Sequence, residues 1–264
     1  MPAKSPQGAY PLAPVIREAL FPTDMPEIPG ICYAVDTASE DPNLLVGGDF
    51  VDVFRLDGAF AIAWGDVAGS GKEAAVTAVM AKFMLRGLAF RHPTPAATLF
   101  YLNRALTYTL EDEVFVAVVY ATYYPQTRSL TVASCGSYPP LLVRAGQAKE
   151  ISTPGPLVGV IKDQRYKQVE LSLEAGDVLV GFTDGVVEAR RGSEMFGSQR
   201  VGEIVEKYSH EREATISAMI KGQARGFGGT LADDASVFVF KVQPTGGGAR
   251  SVVVREGSEG IGRA

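Results

Sequence analysis

The residues of this chain best suited to chemistry are two aspartates, Asp49 and Asp66. They lie at the two ends of a stretch, GGDFVDVFRLDGAFAIAWGDVAGSG (47–71), that has strand-forming residues on both sides of Asp57-Gly58. That dipeptide favours a type I′ hairpin turn. With these two residues as the whole turn, Asp49 faces Asp66, Val51 faces Trp64 and Val53 faces Ile62. Carboxylates roughly 5 Å apart on one face repel each other, so either one holds a proton or a cation lies between them. Farther along, Asp184 closes an apolar run and Asp233-Asp234 open another. If those runs are antiparallel neighbours, their acidic ends meet at one edge. Five carboxylates then gather with no Lys or Arg obviously placed to pair them, and hard oxygen ligands of this kind suit Mg²⁺ or Mn²⁺. Taken singly, Asp184-Gly185 also reads as a turn and Asp233 as a cap. Asp52, an odd step from Asp49, points to the opposite face. Glu188 reads as solvent-facing or behind the site.

The elements that must position these groups follow from pattern. Residues 1–29 carry seven prolines and read as an extended arm with a short helix around Val15–Leu20. Ile31–Ala38 is a first strand, followed by the hairpin. Lys72–Phe90 is a helix with so few charges that both a buried core helix and a partner-facing helix fit it; Ala96–Leu110 is a second helix. Strands are expected at Glu113–Tyr124, Ser129–Ser134, Leu141–Arg144, Ala148–Ile151, Gln168–Leu173, Asp177–Thr183 and Ala235–Val242, with helices at Gln199–Tyr208 and Ala214–Arg225. Short turns join most strands, so the sheets are mainly antiparallel. Two helix pairs have two sheet faces to cover, which makes a layered α+β sandwich. Residues 243–264 read as a flexible Gly-rich tail in which Ser251–Arg255 could add a weak edge strand.

Composition narrows the function classes. A chain of 264 residues with net charge −5 and no basic cluster gives no electrostatic footprint for nucleic acid. No 18-residue apolar run argues for a membrane span, and no signal peptide is visible, so the expected location is cytoplasmic. Two isolated cysteines exclude a disulfide framework. Two histidines in unrelated contexts leave carboxylates as the metal ligands. GSGKE resembles the end of a P-loop, but Asp66 stands where that motif needs Gly, and Glu73 where it needs Ser or Thr. No GxSxG supports a Ser–His–Asp hydrolase.

With those residues in view, the chain resembles a known family. LLVGGDFVDVF, WGDVAGSGKEAA, GDVLVGFTDGVVEAR with a following FGSQRV, and ADDASVFVF are similar to the successive motifs of the SpoIIE/RsbU-type phosphatases. These form the bacterial branch of the metal-dependent protein phosphatase 2C superfamily. The resemblance runs from about Val15 to Val242, with REALFPTDMPEIPG as its lead-in. It implies a four-layer αββα sandwich over residues 30–242, with two mainly antiparallel sheets flanked by helix pairs, and two Mn²⁺ or Mg²⁺ ions between the sheets. It implies Asp49, Asp66, Asp184 and Asp233 as catalytic side-chain ligands, the backbone carbonyl of Val67 as a further ligand, and Asp234 as a second choice. The implied activity is hydrolysis of phosphoserine or phosphothreonine in a protein by metal-activated water, and the implied substrate is a phosphorylated anti-sigma-factor antagonist in a partner-switching pathway. Control by a regulatory protein on the helices after Gly71, and a homodimer, are further partner readings. Two departures stand out: Ser70 in AGSG, and Ser137 in Cys135-Gly136-Ser137-Tyr138-Pro139, occupy positions where the family commonly has histidine. They keep open a pseudophosphatase that binds a phosphoprotein without turnover. A hydrolase of small phosphate esters is a third reading.

Overall fold

The computed structural model describes residues 12–38, 47–110, 114–229, 233–244 and 248–255. The chain begins with α1 (Leu12–Leu20), β1 (Ile31–Ala38), the hairpin β2 (Phe50–Arg55) and β3 (Phe60–Val67), then α2 (Gly71–Ala89) and α3 (Pro95–Thr109). An antiparallel run follows: β4 (Val116–Tyr124), β5 (Ser129–Cys135), β6 (Leu141–Arg144), β7 (Gln147–Glu150), β8 (Val169–Ser172) and β9 (Val178–Phe182). A one-turn helix α4 (Asp184–Val187), a two-residue hairpin β10 (Arg190–Arg191) and β11 (Glu194–Met195), and helices α5 (Gly197–Tyr208) and α6 (Glu213–Gly228) come next. The described chain closes with β12 (Ala235–Val242) and β13 (Arg250–Arg255).

Two main sheets result, with strand orders β13-β1-β12-β9-β6-β7 and β2-β3-β4-β5-β8. All pairings in them are antiparallel except β13 beside β1. Helices α2 and α3 pack on the second sheet, and α5 and α6 on the first, giving the expected αββα layers. The inner faces meet through aromatic rings: Trp64 stacks on Phe238 at 5.7 Å, and Tyr123 meets Phe240 edge-on at 5.3 Å. Gly181 on β9 is glycine because the Trp64 indole fills the space a side chain would take. Helix α2 lays Ala74, Ala75, Ala78, Ala81 and Ala89 inward, small residues that let it lie close to its neighbours.

The β2–β3 register pairs Phe50 with Gly65 through Arg55 with Phe60, as expected from the sequence. The turn differs. Gly58 has φ +68° while Asp57 stays out of the left-handed region, so this is not a type I′ turn, which needs both residues there. The Ala145-Gly146 turn has both, at 51° and 75°.

Other elements come out longer than expected. The short helix expected around Val15–Leu20 begins at Leu12 and is docked. Its last turn is held by the buried ammonium of Lys82, whose Nζ donates to Ala19 O (2.6 Å), Leu20 O (3.0 Å) and Val51 O (3.0 Å); carbonyls at a helix C-terminus have no partner within the helix. Residues 250–255 form the edge strand allowed for Ser251–Arg255, one residue longer, and so leave the tail expected over 243–264. Their placement is reinforced by Arg250, which pairs with the buried Glu213 at 2.6 Å. Of the two readings of α2, an exposed side is present: Val76 and Phe83, with the cap residue Phe90, are exposed.

Candidate metal centre

Antiparallel pairing of β9 with β12, with Phe182 opposite Val237, brings the end of one strand to the start of the other. Asp184, the first residue of α4, therefore stands beside Asp233 and Asp234, which lead into β12. On the facing sheet, the β2–β3 ladder extended by one step sets Asp49 opposite Asp66. The register holds there, because Val67 N donates to Gly48 O at 3.3 Å. The sandwich thus brings all five sequence-predicted aspartates to one end of the inter-sheet space, with Val67 at the end of β3.

Their electrostatics express the crowding. Burial pushes the Asp49 carboxyl well above its usual range, and the charges of Asp66 and Asp234 push it further. Asp66 is pushed up to about 8, first by burial and then by Asp184, Asp233 and Asp234. Asp184 is raised mainly by burial, with Glu188 and Asp234 adding to it. One oxygen each of Asp49 and Asp184 (Oδ1 in both) is buried with no hydrogen-bond partner.

Comparison with other buried acids is informative. Asp52 has Arg86 at 3.0 Å and Lys82 at 3.7 Å. Asp177 has Arg144 at 2.6 Å, Asp36 has Lys221, and Glu213 has Arg250. Among the described residues, no Lys or Arg forms a salt bridge with Asp49, Asp66 or Asp184. A buried carboxylate without a cationic partner is costly. Three gathered together, with an orphaned oxygen on Asp49 and on Asp184, form a donor set that fits hard divalent cations.

Backbone shape supports the cluster. Gly48 N donates to Asp234 Oδ2 at 3.1 Å. A Cβ on Gly48 would lie 2.6 Å from Val67 O and 2.7 Å from Asp66 Oδ1. Glycine there admits the oxygens. Thr183 Oγ1 donates to Asp49 Oδ2 at 2.8 Å and accepts from Ser236 N at 3.0 Å. Thr183 thereby fixes Asp49 from the opposite sheet, a role that sequence reasoning missed, since a threonine at a strand end reads as ordinary β propensity. Among the described residues, no three acidic, histidine or cysteine side chains already enclose one point. An Mg²⁺-like ion takes only one or two carboxylates and keeps several waters, so a gathered rather than closed cluster suits it.

A cavity of about 310 Å³ opens beside the cluster, lined by Asp66, Asp184, Thr183, Ser137, Tyr138 and Glu188 among others. Glu188 is not simply solvent-facing: it accepts a hydrogen bond from the Tyr138 hydroxyl at 2.9 Å. That bond, after burial, helps push the phenol up to about 12. His92 stacks on Tyr101 and His210 lies by Glu211, away from the cavity. Ser70 precedes α2 and makes no side-chain cap bond.

Comparison with known proteins identifies the family and the fold. The family model for Stage II sporulation protein E (SpoIIE) matches residues 56–243, a span that begins after Asp49. The phosphoserine phosphatase RsbU of Bacillus subtilis (strain 168) is 28% identical over 181 residues, 68% of this chain and 53% of RsbU. The chain thus spans about half the length of that relative. Among solved structures, the RsbU and RsbW domains of Rv1364c from Mycobacterium tuberculosis superpose with a TM-score of 0.76 at 20% identity, covering 86% of this chain and 63% of that one. The catalytic domain of the serine/threonine phosphatase PstP, in complex with two manganese ions, gives 0.59 at 17% identity, covering 81% and 99%. No helix among the described residues is long and apolar enough to cross a membrane.

Proposed function

This chain belongs to the SpoIIE family, and on that premise we propose that it is a metal-dependent serine/threonine phosphoprotein phosphatase. Its proposed substrate is a phosphorylated anti-sigma-factor antagonist of a partner-switching pathway. The observation that carries the reading is a contrast among acids: among the described residues, the buried Asp49 and the half-buried Asp66 and Asp184 form no salt bridge with Lys or Arg, whereas Asp36, Asp52, Asp177 and Glu213 do. Asp49, Asp66, Asp184 and Asp233, with the Val67 carbonyl and Asp234, would hold two Mn²⁺ or Mg²⁺ ions. Bound there, such ions supply Lewis-acid polarisation of phosphoryl oxygens and make water a nucleophile at neutral pH. The chain's own groups do the rest. Thr183 holds the Asp49 carboxylate in place, the Gly48 N–H holds Asp234, and the wall from Gly136 to Pro139 bounds the space beside Asp66 and Asp184. Ser137, Tyr138 and Thr183 are the hydroxyls that line it. Phosphoryl transfer asks mainly for positioning and charge stabilisation, so no nucleophilic side chain is required.

A regulatory protein is proposed on α2, where Val76 and Phe83, followed by the cap residue Phe90, recur every seven residues on the exposed side; the same face would serve a homodimer. Ser137 in the cavity wall favours one rival reading, a pseudophosphatase that binds without turnover.

The test is Mn²⁺-dependent phosphate release from an aryl phosphate and from a phosphoserine protein, by the wild type and by Asp184→Asn. Turnover that needs metal and is abolished by the substitution is expected. A folded, metal-saturated wild type inactive on both probes would refute the phosphatase reading of this chain acting alone.

A further inference from the structure

The cavity wall continues into an exposed ledge that the carboxylate chemistry does not use. Gly136 in the wall abuts Leu157, whose side chain fills the space a Cβ would need. The next residue, Val158, exchanges backbone hydrogen bonds of 3.0 Å with Val116, beside Ala117 of the cavity. Beyond it, Val160 and Ile161 stand in solvent, 54% and 48% exposed. They are held there. The buried Asn103 of α3 accepts from Gly159 N at 2.9 Å and donates to Ile161 O at 2.8 Å, so both ends of its amide fix the backbone flanking Val160. Alongside, Tyr108 is 68% exposed with the Lys162 ammonium 5.0 Å from its ring centre. Arg104 and Arg165 both lie over Phe100, at 5.9 and 5.5 Å. Asp163, 3.2 Å from Arg104, offsets one of these three cations.

We propose that this ledge, formed by Val160, Ile161 and Lys162 with Tyr108, Arg104 and Arg165, docks the phosphoprotein substrate through an apolar side chain flanked by acidic residues. The proposal rests on the function proposed above. Two physical arguments carry it. First, fixing two apolar side chains in water gains no packing within the chain, whereas aromatic and arginine residues around an apolar centre are the composition of binding hot spots. Second, a phosphoprotein brings negative charge to a carboxylate-lined cavity on a chain of net charge −5. The ledge cations complement the acidic residues of such a protein and favour its approach. Ile161 is four residues past Leu157, a reach of about 13 Å at most and equal to about four residues of extended peptide. A substrate protein therefore presents residues up to about four positions from the phosphoserine to the ledge, whereas an aryl phosphate has none and a phosphoserine tripeptide only one on each side.

The experiment compares wild type, the double variant Ile161→Asp with Lys162→Glu, and Tyr108→Ala, with Mn²⁺ present. The probes are phosphocasein (an acidic phosphoserine protein), a phosphoserine tripeptide and an aryl phosphate. We expect KM for phosphocasein to rise about tenfold in the double variant and less in Tyr108→Ala, while kcat and both small probes stay within about twofold. A separate titration of fluorescently labelled phosphocasein without metal should show the same loss of affinity. Equal losses on all three probes, or unchanged phosphocasein KM and affinity, would overturn the ledge. A wild type inactive on every probe would overturn the proposed function instead, and the titration would still judge the ledge.

Discussion

Replacing Asp66 by asparagine should make the metal-free protein more stable while removing its response to metal. The Asp66 carboxyl is raised from 3.8 to about 8 by burial and by Asp184, Asp233 and Asp234. A carboxyl whose folded pKa stands above its unfolded value leaves the folded state holding more protons. Unfolding free energy therefore falls as pH rises from about 4 to about 8, and above that the full cost is present. Four units at about 1.4 kcal/mol each set an upper bound of about 6 kcal/mol. Neighbouring carboxyls can take up protons in its place and water reaches part of the side chain, so about 2–3 kcal/mol is the expected gain for Asp66→Asn at pH 8. For a chain of this size that raises Tm by about 5–10 °C.

The assay is thermal unfolding in chelator from pH 5 to pH 9, wild type against Asp66→Asn, repeated with Mn²⁺. The Tm difference should be small at pH 5, grow towards pH 8 and level off above it. Metal at about a hundred times its Kd should add about 2.7 kcal/mol to the wild type and far less to the variant. A variant that melts below the wild type at pH 8 in chelator would refute the reasoning, because Asp66 would then be held by favourable contacts rather than crowded by like charge.

Further predictions follow from the same geometry. Gly48→Ala sets a methyl 2.6 Å from Val67 O and 2.7 Å from Asp66 Oδ1; it should cost about 1–3 kcal/mol in denaturant unfolding and abolish metal-dependent turnover even where the protein is folded. Gly181→Ala presses a methyl into the Trp64 indole; it should cost a similar about 1–3 kcal/mol with turnover retained at low temperature, separating sheet packing from chemistry. Lys82→Met removes the donor for three carbonyls and one of the two countercharges of Asp52; a loss of about 3 kcal/mol is expected by calorimetry, since the carbonyls lose their donor and Asp52 keeps only Arg86.

Much of the site was legible because two periodic rules place it. Alternation and turn residues set the β2–β3 register, and that register alone brings Asp49 to Asp66. Apolar runs ending in Asp184 and beginning after Asp234 needed only antiparallel pairing to meet, and β9 and β12 pair that way. What was not legible depends on contacts between distant segments. Lys82 reads as a surface charge on an apolar helix, yet its ammonium is buried under α1, 62 residues away from its acceptor Leu20. Thr183 gives no sign of its hydrogen bond across the sandwich to Asp49. The turn at Asp57-Gly58 kept its register while abandoning the expected dihedrals, since Gly58 alone supplies the positive φ. Strand β13, six residues beside β1, reads in the sequence only as a weak edge candidate, and the finished sheet edge and Glu213 give it its place.

The domain handles buried negative charge in two opposite ways, and the substitutions above should differ in sign accordingly. Asp52 is buried with Arg86 and Lys82 as its partners. Removing one side of such a group exposes the desolvation cost of the other, so Lys82→Met destabilises. Asp49, Asp66 and Asp184 are held against one another by strand register, by Thr183 and by glycines that admit their oxygens, and they lack that compensation. Neutralising one of them relieves repulsion, so Asp66→Asn stabilises. A fold under selection for stability alone would resolve the second arrangement as it resolved the first, with a cation from the chain. Keeping three acids without one makes sense where the missing charge is supplied from solution, and the opposite signs of the two substitutions make that argument measurable without any assay of turnover.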